Sequence, residues 1–279
     1  MSHKIYDCFC YFNEDLLLEL RLETLWNYVD YFVIVESVYT ISGNLKPLNF
    51  KPAFFKKYLS KIRYLVVEHY PEGLSDAWRN ERFQRNYIAN GLLDAKPNDW
   101  IIISDVDEIP RPETIALFNP KQYKRGDFEQ YAYSYYLNNR CQQNGKDVFW
   151  YGSKITSYYH FLHFFKCAES VRSFKIVGFL GFIHRKFFKK QSIQIIKQGG
   201  WHFTWIASVE KIILKLESYA HQEYNKPEFK NPELIKAKIE AGYEILNPDG
   251  RCIIQPIDAQ FPDYLVHNQE KFSQYLLVN

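Results

Sequence analysis

Trp100-Ile101-Ile102-Ile103-Ser104-Asp105-Val106-Asp107-Glu108-Ile109-Pro110 decides how the rest of the chain is read. It opens with an apolar, β-branched run of the length of a buried strand. Asp105, Asp107 and Glu108 follow, and Pro110 stops the element. A buried strand that delivers carboxylates at its C-terminal edge is how open α/β sheets build ligand sites. Asp105 and Asp107 are two apart, so in extended backbone they share one face. Side by side they would repel unless a cation stands between them. A hard divalent ion such as Mg²⁺ or Mn²⁺ takes oxygen ligands and is often shared with a substrate phosphate. The motif therefore suggests a metal–diphosphate site, against the plainer alternative of a solvated acidic turn.

Upstream, the pattern alternates strand and helix. Ile5 to Phe12 has the character of a first strand. Asn13 is placed to cap a helix whose Leu18, Leu22, Leu25, Trp26 and Val29 recur at helical spacing. Tyr31 to Val35 forms a second strand ending at Glu36, and Ile62 to Val67 a third ending at Glu68. Strand–helix–strand succession implies parallel pairing. Ser75 is placed to cap a helix reaching Leu93, with Arg79, Arg82 and Asn86 on one face and Arg85 adjoining. A basic helix face beside strand-end acids can hold a diphosphate through bidentate contacts; the alternative is a solvated face paired with Glu81.

Beyond Pro110 the pattern changes. Glu129 to Asn138 and Val148 to Ser157 are expected as strands, and Pro112-Glu113-Thr114 as a short helix. His160 and His163 resemble a metal pair but lie in an aromatic run without a partner Glu, which favours core or sheet surface. Arg172 to Phe188, ending in Lys189-Lys190, is basic, which allows a weak anionic contact with lipid or substrate. Gly199-Gly200-Trp201-His202-Phe203-Thr204-Trp205 is expected as a loop that brings His202 toward the carboxylates, the glycines permitting close backbone approach. Helices are expected from Ser208 through Ala220, from Asn231 or Pro232 to Leu246, and from Pro262 to Leu277. No internal repeat or linker interrupts the chain.

Composition narrows the function classes. A net charge of +3 is too small to argue for nucleic-acid binding. Aromatic residues make up 18% of the chain, which suits sugar stacking by Tyr135, Trp150 or Trp205 as well as an aromatic core. The five cysteines show no zinc-knuckle or redox spacing, which points to reduced thiols and a cytoplasmic location. No apolar run reaches membrane-spanning length, and no signal peptide is visible. Gly-x-Gly-x-x-Gly, the P-loop, His-Glu-x-x-His and Gly-x-Ser-x-Gly are all missing.

Phe32-Val33-Ile34-Val35-Glu36-Ser37, the Arg79 to Arg85 block, Asp105-Val106-Asp107-Glu108-Ile109-Pro110 and Gly200-Trp201-His202-Phe203 together resemble glycosyltransferase family 17. The resemblance implies a GT-A-like α/β single domain with a mostly parallel central sheet. Its Rossmann-like nucleotide-binding half would be residues 1–110 and its mixed α+β acceptor half residues 111–279. It implies a nucleotide-sugar donor, UDP-N-acetylglucosamine by analogy, a glycan acceptor, and inversion at the anomeric carbon. By resemblance Asp105 and Asp107 form the family's Asp-x-Asp motif and hold Mn²⁺ or Mg²⁺, with His202 as third ligand. Glu36, Arg82 and Arg85 join them as candidates for the nucleotide-sugar site. The candidates for the acceptor base are Glu108, Glu217 and Glu223. The chain departs from vertebrate members in lacking a membrane anchor and an oxidised cysteine framework, which suggests a bacterial or viral member. Two other classes remain open: a phosphohydrolase with Asp105 as nucleophile and Asp107 as acid/base, and a non-catalytic glycan-binding protein using the aromatics.

Overall fold

The Trp100–Asp105 run occupies the middle of a sheet in the computed structural model, which describes residues 3–174, 193–247 and 249–278. This strand, β4, pairs in parallel with β1 (Ile5–Cys10), whose other neighbour is β2 (Tyr31–Ser37), followed by β3 (Ile62–Val67), all parallel. Ile101, Ile102 and Ile103 are sealed from solvent because both faces of the parallel sheet are covered.

Helix α1 (Asp15–Leu25) packs on one face. Its N-cap is Glu14 rather than the expected Asn13, without a side-chain bond into the helix; Glu14 Oε2 instead accepts from the backbone N–H groups of Phe12 and Asn13 in the entering segment, at 3.1 and 3.0 Å. The helix buries the expected Leu18, Leu22 and Leu25, and also Leu17 and Leu20. The second stripe exists because Phe261, Leu265 and Phe272 from the C-terminal segment cover that flank. Helix α2 (Ala77–Asn86) lies on the other face, capped by Asp76, whose Oδ1 accepts from Arg79 N–H at 3.1 Å. It passes into a 3₁₀ turn, Tyr87–Gly91, short of the expected Leu93. Gly91 presses against β2, where a Cβ would come within 2.4 Å of Val33 Cγ1.

Past Pro110 the sheet becomes mixed. After β5 (Glu108–Pro110) and a short helix, Pro112–Ile115, come β6 (Arg125–Ser134), β7 (Asn139–Gln143), β8 (Lys146–Asp147), β9 (Phe149–Trp150) and β10 (Lys154–Ser157). β10 lies antiparallel between β4 and β6. β6 begins four residues before the expected Glu129, because its polar start is neutralised internally. Buried Arg125 donates to both oxygens of Asp127, at 2.6 and 3.0 Å, and Lys154 adds a third cationic contact at 2.9 Å. The expected Val148–Ser157 strand is two strands, broken at Gly152. A Cβ there would fall 1.8 Å from Glu108 Oε1.

Helix α3 (Ala168–Ser173) precedes the residues that are not described. The basic run expected to make an anionic contact falls mostly on 175–192, outside the described residues. The Gly-Gly-Trp-His stretch is not a loop. It lies inside β11 (Ile193–Thr204), parallel to β6 and antiparallel to β5. The glycines serve that strand crossing: Gly200 has φ 137°, and a Cβ on it would sit 2.2 Å from Ile109 O.

Helices α4 (Val209–Ser218) and α5 (Pro232–Glu240) follow, with β12 (Gly250–Ile254) pairing antiparallel to β7. α5 stops before the expected Leu246, at a turn through Gly242 (φ 71°). The expected 262–277 helix is a short helix, Asp263–His267, and a 3₁₀ turn, Ser273–Tyr275. Among the described residues, no helix is long and apolar enough to cross a membrane. The architecture is the expected α/β one, with a parallel front and a mixed remainder.

Candidate active site

A cavity of about 330 Å³ opens at the C-terminal end of β1 and β4 and is lined by both Asp105 and Asp107. Its placement follows from the sheet: parallel strands release their chain ends along one edge. The turn that carries the acids is held from beneath. Fully buried Arg21, from α1, donates to Asp7 Oδ1 and Oδ2 at 2.6 and 2.7 Å. It also donates to the carbonyl oxygens of Asp105 and Glu108, at 3.0 and 2.8 Å, and to Ser104 Oγ at 2.5 Å. One guanidinium thus fixes the backbone on either side of Val106.

Asp105 turns its carboxylate toward the cavity, its side chain 37% exposed. Arg172 from α3 meets Oδ2 at 2.8 Å, and Arg85 from α2 meets Oδ1 at 3.4 Å. Burial alone would raise this carboxyl, but Arg172 and Arg85 hold it well below the usual carboxylate range. Asp107 is nearly buried; Lys215 from α4 reaches its Oδ2 at 3.1 Å, and His202 Nε2 stands 3.9 Å from its Oδ1. Burial works against the Lys215 charge, but Asp107 and Glu14 outweigh it and push the ammonium up to about 12. The paired acids therefore already face cations from three separate elements.

His202 reaches Asp107 through strand pairing. β11 sets His202 opposite Glu108 in register, and Trp150 stacks on the imidazole with ring centroids 4.9 Å apart and planes at 21°. Trp150 Nε1 donates to Glu108 Oε1 at 2.6 Å. Glu108 also takes the Asp105 backbone N–H at 2.8 Å and both terminal nitrogens of Arg172. It is 1% exposed, with donors on both oxygens, so it anchors the turn and is not poised to take a proton.

The remaining expectations divide. Arg85 lines the cavity, whereas Arg82 is exposed and borders a separate depression with Tyr70, Arg79 and Asn86. The two are about 60° apart around the helix, enough for Arg82 to share the outer depression with Arg79 while Arg85 turns inward to the cavity. Glu36 is fully buried and accepts from Lys46 Nζ, the Asn49 and Phe50 N–H groups and Tyr64 OH, which closes it off from a ligand. Its contribution is to hold Lys46 at the cavity wall. Glu217 is exposed and paired with Lys230, and Glu223 is exposed beside His221. Neither lines the cavity, because α4 presents Ser218 and Lys215 there instead.

Trp150 and Trp205 line the cavity, but Tyr135 is buried, its OH accepting from Ile245 N–H at 2.7 Å. Trp205 and Tyr135 both take positive φ, 58° and 67°, conformations that bulky residues hold only where surroundings force them. His160 and His163 sit on a surface helical turn away from the cavity, His160 Nδ1 3.0 Å from Ser157 Oγ. Sequence reading missed Arg21, Lys215, Lys46 and Glu14 as site residues, and had Arg172 only as the start of a basic run. Only Glu14 carried a local signal, its place directly after a strand.

The α/β sheet thus presents acids at its strand ends, facing cations and aromatics across a cleft. The comparisons with known proteins define the lineage: the chain belongs to glycosyltransferase family 17, whose family model matches residues 1–171. The human beta-1,4-mannosyl-glycoprotein 4-beta-N-acetylglucosaminyltransferase is 33% identical over 103 residues, covering 34% of this chain and 19% of the relative. The Mus musculus protein of the same name is 32% identical over the same length. This chain therefore matches only about a fifth of the length of those curated relatives. Among solved structures, an active-site mutant of LgtC aligns with a TM-score of 0.36 at 10% identity, covering 97% of this chain and 94% of that one. A 4-diphosphocytidyl-2C-methyl-D-erythritol synthase aligns with a TM-score of 0.38 at 12% identity, covering 71% of this chain and 89% of that one. These structural likenesses are too slight to bear on the fold, which rests on the strand pairings above.

Proposed function

We propose that this protein is a metal-dependent, inverting glycosyltransferase that moves a sugar from a nucleotide-sugar donor, UDP-N-acetylglucosamine, to a glycan acceptor. The observation that carries the reading is the convergence of Asp105, Asp107 and His202 on one cavity that Arg85, Lys46 and Lys215 also line. Two carboxylates and an imidazole suit a divalent cation of the Mn²⁺ or Mg²⁺ kind: Asp105 is open to the cavity, and Asp107 stands 3.9 Å from His202 Nε2. Asp105, Asp107 and His202 would hold that cation, which supplies charge neutralisation for the donor diphosphate.

The chain's own groups divide the remaining work. Arg85 and Lys215 favour the negative charge that gathers on the departing nucleotide. Trp205 and the free face of Trp150 provide apolar surfaces for sugar rings. Glu14 is the acceptor base in this reading: it lines the cavity, and only its Oε2 is committed, to the Phe12 and Asn13 N–H groups.

The test is a thermal-shift screen of nucleotide sugars with Mn²⁺, followed by a transfer assay on the best binder. Stabilisation by UDP-N-acetylglucosamine only with metal present supports the reading. Glu14→Gln should keep that shift and lose turnover. Release of phosphate from an aryl phosphate, or sugar binding indifferent to nucleotide and metal, would replace it.

A further inference from the structure

We propose that Cys141, Cys252 and Glu244 form a second metal site, away from the cavity, for a thiophilic divalent cation of the Zn²⁺ class. The two cysteines are 111 residues apart in sequence but face each other as register partners in the antiparallel pairing of β7 with β12. Their backbone groups point away from each other: Cys252 N–H donates to Gly242 O at 2.8 Å, and Cys141 O accepts from Val148 N–H at 3.0 Å. The pair is therefore of the non-hydrogen-bonded kind, in which side chains approach most closely.

The Sγ atoms are 3.9 Å apart. Two thiolates bound to one tetrahedral zinc at about 2.3 Å stand roughly 3.8 Å from each other. Glu244 closes the set, since a carboxylate oxygen and the two sulfurs all lie within 4.8 Å of one another. Ser134, fully buried, links them: the Cys141 thiol donates to Ser134 Oγ at 3.2 Å, and Ser134 Oγ donates to Glu244 Oε1 at 3.0 Å. That is the arrangement by which a neighbouring hydroxyl orients metal ligands. No cationic side chain pairs with Glu244 among the described residues, so its charge awaits a partner. Binding a divalent cation releases the two thiol protons and leaves a fourth tetrahedral position to water.

The site would brace the cavity from behind. Glu244 is followed by Ile245, whose N–H donates to Tyr135 OH, and Tyr135 N–H donates to the carbonyl of the cavity residue Thr204 at 3.2 Å. A cation at Glu244 thus fastens the strained Tyr135 and Trp205 segment. The inference is independent of the transfer reaction proposed above.

Co²⁺ serves as the probe, added to the reduced, chelator-stripped full chain. One equivalent should produce a thiolate-to-cobalt charge-transfer band, which Zn²⁺ then bleaches. The band should be unchanged in Asp107→Ala, because metal at the cavity has no sulfur ligand, and absent in Cys252→Ser. The Cys252 thiol should resist maleimide in Zn²⁺ and react once a chelator is added, whereas buried Cys141 resists in both conditions. Glu244→Gln, which preserves shape and both thiols, should weaken Zn²⁺ binding at least about tenfold. A wild-type protein without the band, or with Cys252 fully reactive in saturating Zn²⁺, overturns the proposal.

Discussion

Residues 1–110 and the chain beyond them both line the cavity, but they reach it in different ways. The first part delivers acids from strand ends, held by local geometry and by one buried pair, Arg21 with Asp7. The second supplies Arg172 from α3, Lys215 from α4, Trp150 from β9 and His202 from β11, which join Arg85 and Lys46 of the first part around those acids. The acids' positions are set by the strand that carries them, while those of their counter-charges depend on the whole assembly. Damage to the buried support of the first part, Arg21 and Asp7, should therefore unfold the protein, whereas damage to the groups that face the cavity should spare the fold and cost function.

Arg21→Ala puts this contrast under the greatest strain. It leaves Asp7 buried without its partner and frees the Asp105–Glu108 turn, so the loss should be about 3–5 kcal/mol in urea unfolding. A variant that melts like wild type would erase the contrast. Next is Arg172→Ala, which should lower turnover on the order of 100-fold with a near-normal circular dichroism spectrum. Its partner Glu108 remains held by Trp150 and the Asp105 N–H.

The pair of variants Arg85→Ala and Arg82→Ala sharpens the comparison within one helix. The first should cost roughly tenfold or more in turnover, and the second should leave both turnover and stability nearly unchanged, because an exposed residue off the cavity contributes within about 0.5 kcal/mol. The smallest effect concerns alkali. Lys215 is pushed from 10.5 up to about 12 in the folded protein. A raised pKa contributes stability that is complete below the unfolded value and disappears as pH climbs through the folded one. Between pH 10.5 and 12 the protein should thus lose on the order of 1 kcal/mol that Lys215→Met no longer loses.

Much of the front was legible because its physics is local. Ile101 to Ile103 are apolar and β-branched, so Trp100 to Ile103 reads as a buried strand, and Asp105 and Asp107 followed from its end. The strand bounds of β3 were read correctly for the same reason. β6 was misplaced because Arg125 and Asp127 cancel each other's charge inside the sheet, a pairing that no periodicity reveals. The Gly199-Gly200 pair was legible as a point of close approach, but not that the neighbour is β5 and the conformation a strand. Glu217 and Glu223 were candidates for the base, yet sequence does not say which face α4 turns to the cavity or that Glu223 falls in a separate turn beyond it. Arg172, Lys215 and the Cys141–Cys252 pair were out of reach, since each acquires its neighbours only from tertiary pairing.

Calorimetric titration of UDP into the wild type and into Asp107→Ala, each with and without Mn²⁺, bears most directly on the carboxylate cavity as a metal–diphosphate site. Wild type should bind the nucleotide tightly only with metal present, and the variant should bind weakly and identically in both conditions while melting at a near-normal temperature. Equal, metal-enhanced binding by both proteins would contradict the account.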